Sequence, residues 1–266
     1  MTIGIYGISS QSGRAFLADY LNKGYHIIGY TRPTEHGNEV LDAIHKLGGL
    51  YMERPENSNH ETSRFINLGK SSVTADLEYM VSNSTIIIIP LPSTAHISAV
   101  REMNKVGLWK RRIPLVLAPS RSVASPYIWN ELGERYPIIC FSTCPYSCKA
   151  PKPVVSLIKR RKRTYIATLE GDINRKHVEM VRELFPQAAL STIPALSSLN
   201  NIGAVFHCAT YILNIDEIER RKKSGEVFSF YMDGIASRPG VGVVLEQIDQ
   251  IRLQIANALG LSLIHI

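Results

Sequence analysis

The sequence predicts an α/β protein, a doubly wound parallel sheet followed by an α-helical domain. Three observations carry that prediction. Over the first 140 residues short, wholly apolar runs alternate with amphipathic segments, the pattern of parallel strands covered by helices on both faces. A glycine- and serine-rich turn joins the first apolar run to the first amphipathic one. From about residue 194 onward the apolar residues take a helical spacing only.

TIGIYG (2–7) reads as a buried strand, and SGRAFLADYLNKG (12–24) as a helix closed by a C-cap glycine. YHIIGYTR (25–32) is the second strand. A helix near 38–47, a strand at RFINL (64–68), a helix near 74–81 and strand TIIIIPLP (85–92) follow. Next come a helix near 95–105, strand IPLVLAP (113–119), a helix near 122–133 and strand YPIICFS (136–142). VVSLI (154–158) and TYIATL (164–169) flank a basic pentapeptide and are expected to pair as a hairpin. Helices are expected at 197–214, 215–223 and roughly 241–259, with the domain boundary near 190–195.

The chain has 266 residues, 45% of them hydrophobic, enough for one large domain or two smaller ones. The N-terminal MTIGIYGISS lacks the basic region and long apolar core of a signal peptide. The apolar run at 86–90 is far too short to span a bilayer. A cytoplasmic protein with no membrane partner is expected, and its four cysteines are expected to stay reduced. The net charge of +7 comes partly from WKRR (109–112) and KRRKR (159–163). No base-stacking aromatics interleave with these charges, so a basic turn or a surface attracting small anions is expected rather than a nucleic-acid interface. A homodimer is left open.

GISSQSGRA (7–15) lies where a Rossmann-type dinucleotide loop belongs, after the first strand and opening the first helix. Gly7 holds the first glycine position, Ser9 the second and Ser12 the third, with Gly13 directly after. Serine hydroxyls and a helix N-terminus both suit phosphate, which makes Gly7, Ser9, Ser10, Gln11 and Ser12 cofactor candidates. Where NAD-specific enzymes place an acid after the second strand, this chain has Arg32 and no acid before Glu35. An arginine there pairs with a 2′-phosphate, so NADP(H) is favoured over NAD(H). PLPSTAH (90–96) and APSRS (118–122) close later strands at the same sheet edge. That adds Pro90 and Pro92 as cofactor candidates and His96 as a substrate candidate, the alternative for His96 being a surface histidine at a helix start.

CFSTCPYSC (140–148) spaces three cysteines by four. Pro145 breaks any helix that would gather them, and no CxxC or nearby histidine completes a tetrahedral set, so no metal is expected. His207 sits in the helical run SSLNNIGAVFHCATYILN (197–214). By itself it reads as a satisfied helix histidine sooner than as a proton-transfer group.

Four short motifs, in register, resemble the opine dehydrogenases of the octopine and nopaline type. They are STCPYSCK (142–149) with the VVSLIKRRKRTYIATL segment after it, Asn201 and five residues before His207, FYMDGI (230–235), and DQIR (249–252) with ANALG (256–260). Such enzymes condense an amino acid amine with a 2-oxo acid such as pyruvate or 2-oxoglutarate and reduce the imine with NAD(P)H. The resemblance implies His207 as acid/base group, Asn201, Tyr146 and Cys148 near substrate, and these two small molecules as partners. It implies a dinucleotide-binding domain over 1–192 and the first part of a helical substrate domain over 193–260. Imidazole suits proton transfer near neutral pH. The sequence departs from the family in its serine-rich loop and in Cys208, where the family has proline. Family members also run about a hundred residues further and carry there the aspartate that partners the histidine, so an incomplete helical domain is expected. LSLIHI (261–266) is the in-frame translation of a sequencing-library transposon end, and is expected to be a non-native tail. Ketopantoate- and glycerol-phosphate-type dehydrogenases share the two-domain plan but use a lysine with no counterpart motif here. A non-catalytic NADP(H)-binding protein is the further alternative.

Overall fold

A computed structural model describes residues 1–54, 63–120, 124–167, 175–191, 194–200 and 202–263. The chain divides into two compact units, Met1–Ser198 and Leu199–Ile266.

The strands of the first unit are β1 (Thr2–Tyr6), β2 (His26–Tyr30), β3 (Gly49–Glu53), β4 (Ser63–Asn67), β5 (Ser72–Thr74), β6 (Ile86–Ile89), β7 (Leu115–Leu117), β8 (Ile138–Phe141), β9 (Tyr146–Lys152), β10 (Val155–Arg160), β11 (Thr164–Ala167) and β12 (Ala188–Ser191). Eight form the main sheet in the order β12-β11-β8-β7-β6-β1-β2-β5. The run from β5 to β8 is parallel throughout; β11 joins antiparallel to β8 and β12 parallel to β11. Strand order reverses between β1 and β6, and that crevice is the ligand-binding edge of a doubly wound sheet.

Side-chain alternation sorts the core into two layers. On β6, Ile86 and Ile88 join one cluster while Ile87 and Ile89 join the other, all fully buried. Helices α1 (Gln11–Asn22), α2 (Glu35–Leu47) and α7 (Arg175–Leu184) feed the first layer through Phe16, Ile44 and Val181. Helices α3 (Leu77–Asn83), α4 (His96–Lys105) and α6 (Ala124–Leu132) feed the second through Met80, Val100 and Ile128.

A second sheet, β4-β3-β10-β9, packs on α1. It explains why α1 is buried on every side from Gly13 to Leu21. Two charges are therefore buried, Asp19 with charged and polar partners and Arg14 on backbone carbonyls with its Nε unpartnered. Asp19 accepts from Tyr146 at 2.6 Å, pairs with Lys23 at 3.3 Å and is bound by Arg160. Arg14 donates to the carbonyls of Lys152 and Ser9.

This sheet corrects the hairpin expectation. VVSLI pairs with the preceding segment, as β10 against β9, and TYIATL crosses to the main sheet as β11. Ile166 and Ala167 are buried on opposite strand faces, as the doubly covered main sheet provides. The helix expected over 197–214 is interrupted: α8 (Pro194–Leu199) precedes α9 (Ile202–Leu213). Elements β3, β5, β9, α7, β12 and α5 (Leu108–Arg111) were not foreseen.

The second unit holds α9, α10 (Ile215–Ser224), a π-turn at Met232–Ala236 and α11 (Pro239–Ala258). Val205 and Ala209 of α9 pack on Val241 and Leu245 of α11. Asn214 secures the π-turn by donating to the carbonyls of Thr210 and Gly234 at 2.8 and 2.9 Å. Arg252 pairs with Asp249 at 2.6 Å and donates to the Leu199 carbonyl at 3.0 Å, both side chains being buried. Among the described residues no helix is long and apolar enough to cross a membrane.

Candidate functional site

The loop between β1 and α1 is built by its own backbone. Gly7 has φ +94°, and a Cβ on it would meet Leu91 Cδ2 at 2.9 Å. Ser10 is the N-cap of α1: its hydroxyl donates to the Gly7 carbonyl at 2.8 Å and accepts from Gly13 N–H at 3.0 Å. Ser10 thus spends its side chain on shaping the turn. A Cβ on Gly13 would lie 2.1 Å from the Gly7 carbonyl oxygen. The close helix–strand approach therefore falls on Gly13, one position beyond Ser12, which corrects the glycine register expected from sequence. The first N–H groups of α1 have no intrahelical acceptor, at the positive end of the helix. Ser9 is partly exposed and Gln11 exposed beside them.

At the neighbouring strand ends, Arg32 follows β2 with an exposed side chain, 3.9 Å from Glu102 of α4. Glu102 in turn accepts from the Tyr6 hydroxyl, and burial, then this carboxylate, push the Tyr6 phenol up. After β6, Pro90 is buried and Pro92 exposed, with Leu91 between them against Gly7. His96 is completely buried, which corrects the surface alternative. Its Nε2 lies 3.0 Å from the Leu91 carbonyl, and burial drives its pKa down to about 4. A neutral His96 with Nε2–H donating fits, and it holds the Leu91 turn from beneath.

The STCPYSC segment divides. Tyr146 is buried with its hydroxyl on Asp19, in the core instead of at an open edge. Cys144 and Cys148 are partly exposed, and each sulfur lies 3.8 Å from the Ser12 hydroxyl. The two sulfurs thus share one hydroxyl. Cys140 is buried, and its thiol is pushed up by that burial. The clustering of Ser12, Cys144 and Cys148 was not read from sequence; the only available signal was two cysteines flanking a proline at a strand start.

In the second unit, His207 is exposed on α9. Its ring is 4.8 Å from Phe230 and stacks on Tyr211 at 6.2 Å. Val205 and Ala209, its neighbours two positions away, face α11, so the packing of the helix leaves the imidazole outside the core. Among the described residues neither ring nitrogen has a hydrogen-bond partner. Asn201 and the last two residues of the APSRS loop, 121–122, lie outside the described residues.

Residues 195–266 match the family model for the α-helical domain of NAD/NADP octopine/nopaline dehydrogenase. The chain resembles the opine dehydrogenases. Among solved structures it is similar to yersinopine dehydrogenase with NADP⁺ bound, at TM-score 0.79 and 14% identity over 99% of this chain and 65% of that one. It is similar to octopine dehydrogenase with NADH and L-arginine, at TM-score 0.73 and 14% identity over 97% of this chain and 64% of that one. A ketopantoate reductase from Ralstonia eutropha JMP134 follows at TM-score 0.65 and 16% identity, over 99% and 76%. The chain thus spans about 65% of the length of the yersinopine enzyme. These likenesses show the fold, a Rossmann-type sheet with an α-helical domain after it. No curated protein matches the sequence.

Proposed function

We propose that this chain carries the chemistry of an NADP(H)-dependent opine dehydrogenase, the reductive condensation of an amino acid amine with pyruvate or 2-oxoglutarate. The observation that carries the reading is the family match over residues 195–266, which includes His207, in a chain whose first unit ends β1 in a dinucleotide-type turn. The turn fits the cofactor. Gly13 leaves no room for a side chain at the Gly7 carbonyl, and the α1 N-terminus offers unpaired N–H groups to a pyrophosphate. Gly7, Ser9, Gln11 and Ser12 would hold that group, Pro90 and Pro92 would border it, and Arg32 would take a 2′-phosphate.

The bound dinucleotide supplies a hydride. The protein supplies proton transfer, assigned here to His207, whose exposed imidazole can give a proton as the carbonyl oxygen leaves as water. Asn201 and Cys148 are assigned to the substrates, with residues 1–192 as the dinucleotide domain and 193–260 as helical substrate domain. A cytoplasmic setting accords with four unpaired cysteines.

The test is NADPH oxidation at neutral pH with pyruvate or 2-oxoglutarate and a panel of amino acids, on this chain and on the product of the whole gene. Oxidation that needs both substrates is expected. Oxidation by an oxo acid alone would instead indicate a reductase of the ketopantoate kind, the fold likeness that favours a second reading. NADPH binding without turnover of any pair would indicate a binding protein.

A further inference from the structure

The proposed reaction leaves the Cys144 thiol unused, and Cys148, assigned above to the substrates, shares the Ser12 hydroxyl with it. Cys144 stands between β8 and β9, and Cys148 is the third residue of β9. Both sulfurs lie 3.8 Å from the one hydroxyl of Ser12, and each thiol shifts the ionisation of the other. Both residues keep part of their surface exposed, whereas Cys140 is sealed in the core. Cys208 belongs to the other unit.

We propose that Cys144 and Cys148 form an oxidisable dithiol for hydroperoxides, whose disulfide pulls on Ser12 and weakens dinucleotide binding. The second half rests on the cofactor reading above; the first does not.

The surroundings fit Cys144 as the attacking sulfur. Its thiol donates to the Ser12 hydroxyl at 3.8 Å, the Cys148 sulfur lies 3.8 Å from the same hydroxyl, and Arg161 lies beside it, donating Nε–H to the Cys144 carbonyl at 3.0 Å. Led by the Cys148 thiol, these neighbours outweigh burial and bring the Cys144 thiol down to about 6. Cys148, beside that thiolate, is pushed up. One thiolate and one held thiol is the arrangement in which a peroxide is reduced and the product resolved.

The Cys144 thiolate attacks the terminal oxygen of a hydroperoxide ROOH. An S–O bond forms, the O–O bond breaks, and ROH leaves after taking up a proton. Sulfur is oxidised to the sulfenic acid, Cys144–SOH. The Cys148 sulfur then attacks Cys144; the S–S bond forms, the S–O bond breaks, and hydroxide leaves as water with the Cys148 proton. In total two thiols and one ROOH give a disulfide, ROH and water. The bond brings the sulfurs to about 2 Å and removes both S–H groups, so the contacts that the two sulfurs make with Ser12 must rearrange.

The test uses this chain carrying Cys208→Ser, treated with hydrogen peroxide and mapped by mass under non-reducing conditions. A Cys144–Cys148 link lighter by two hydrogens, reversed by dithiothreitol and absent in Cys144→Ser and Cys148→Ser, is expected. Accumulation of sulfinic acid on Cys144 without the link would overturn the assignment. NADPH affinity, measured by fluorescence titration, is expected to fall roughly tenfold on oxidation, the worth of one hydrogen bond to a charged group. Unchanged affinity with the link in place would overturn the coupling to Ser12. A reduced chain that binds no NADPH would sink the cofactor reading, and the coupling with it, while the mass map still decides the dithiol.

Discussion

The two units bury their apolar residues very differently. In the first, two continuous layers enclose the sheet, and an aromatic group of Phe16, Tyr20, Phe141 and Phe185 meets edge to face at 4.8–5.9 Å. In the second, the core cluster among the described residues is Val205, Ala209, Val241 and Leu245. Large apolar side chains there remain open, with Ile212 at 68%, Tyr231 at 69% and Met232 at 66% exposure. The contrast matches what each unit is proposed to present. The β1–α1 turn, proposed to take the dinucleotide, is a backbone device, and a carbonyl pressed against Gly13 works only on a rigid frame. The His207 face is a side-chain device, with imidazole and aromatic rings displayed on a helix whose other side does the packing.

Paired truncations sharpen that contrast most. Ile88→Ala, in the fully buried centre of β6, is expected to cost about 3 kcal/mol, whereas Ile251→Ala, 56% exposed on α11, should stay within about 0.5 kcal/mol. Urea unfolding followed by circular dichroism measures both. Equal losses would mean that the second unit is as tightly filled as the first.

The next effect is a pH dependence confined to the first unit. His96 has its pKa lowered by burial from 6.5 to about 4, so between those values the unfolded chain binds the extra proton. Stability is then full above about pH 6.5 and falls as the pH drops through about 4, by up to about 3 kcal/mol. His96→Gln, compared with the parent over pH 4–7, should flatten part of that slope. An unaltered slope would place the acid sensitivity elsewhere.

These elements also show how far the sequence could be read. Four consecutive isoleucines in β6 announce a strand covered on both faces, and their alternation is what the structure displays. Strand β5 has one buried apolar residue, Val73, in three, too short for any period to register. Strand β9 reads Tyr-Ser-Cys-Lys-Ala-Pro-Lys and passes for a loop, because it lies against α1 in a small sheet whose pairing is non-local. At the β1–α1 turn, the position of the loop and its glycine at Gly7 were legible. The part played by Gly13 was not, since a single inserted residue shifts the glycine register and only the approach to the Gly7 carbonyl reveals it. His96 was misjudged as exposed because a helix start says nothing about what covers it.

The smallest expected effect concerns cofactor choice. Glu102 lies 3.9 Å from Arg32 and competes with any phosphate there. Glu102→Gln keeps an acceptor for Tyr6 and removes the charge. NADPH is expected to bind a few-fold more tightly and NADH about equally, a gain of the size of one exposed ion pair, ~0.5–1 kcal/mol. Equal gains for both dinucleotides in a fluorescence titration would remove Arg32 from 2′-phosphate recognition.

The most direct measurement is the rate of NADPH oxidation with an oxo acid and an amino acid together, for the parent and for His207→Ala, alongside NADPH affinity. The account predicts turnover that needs both substrates and falls by about 10²-fold or more in the variant, with the affinity unchanged. Equal rates in the two proteins would contradict it, and His207 would then be an exposed aromatic-stacked histidine with no part in the chemistry.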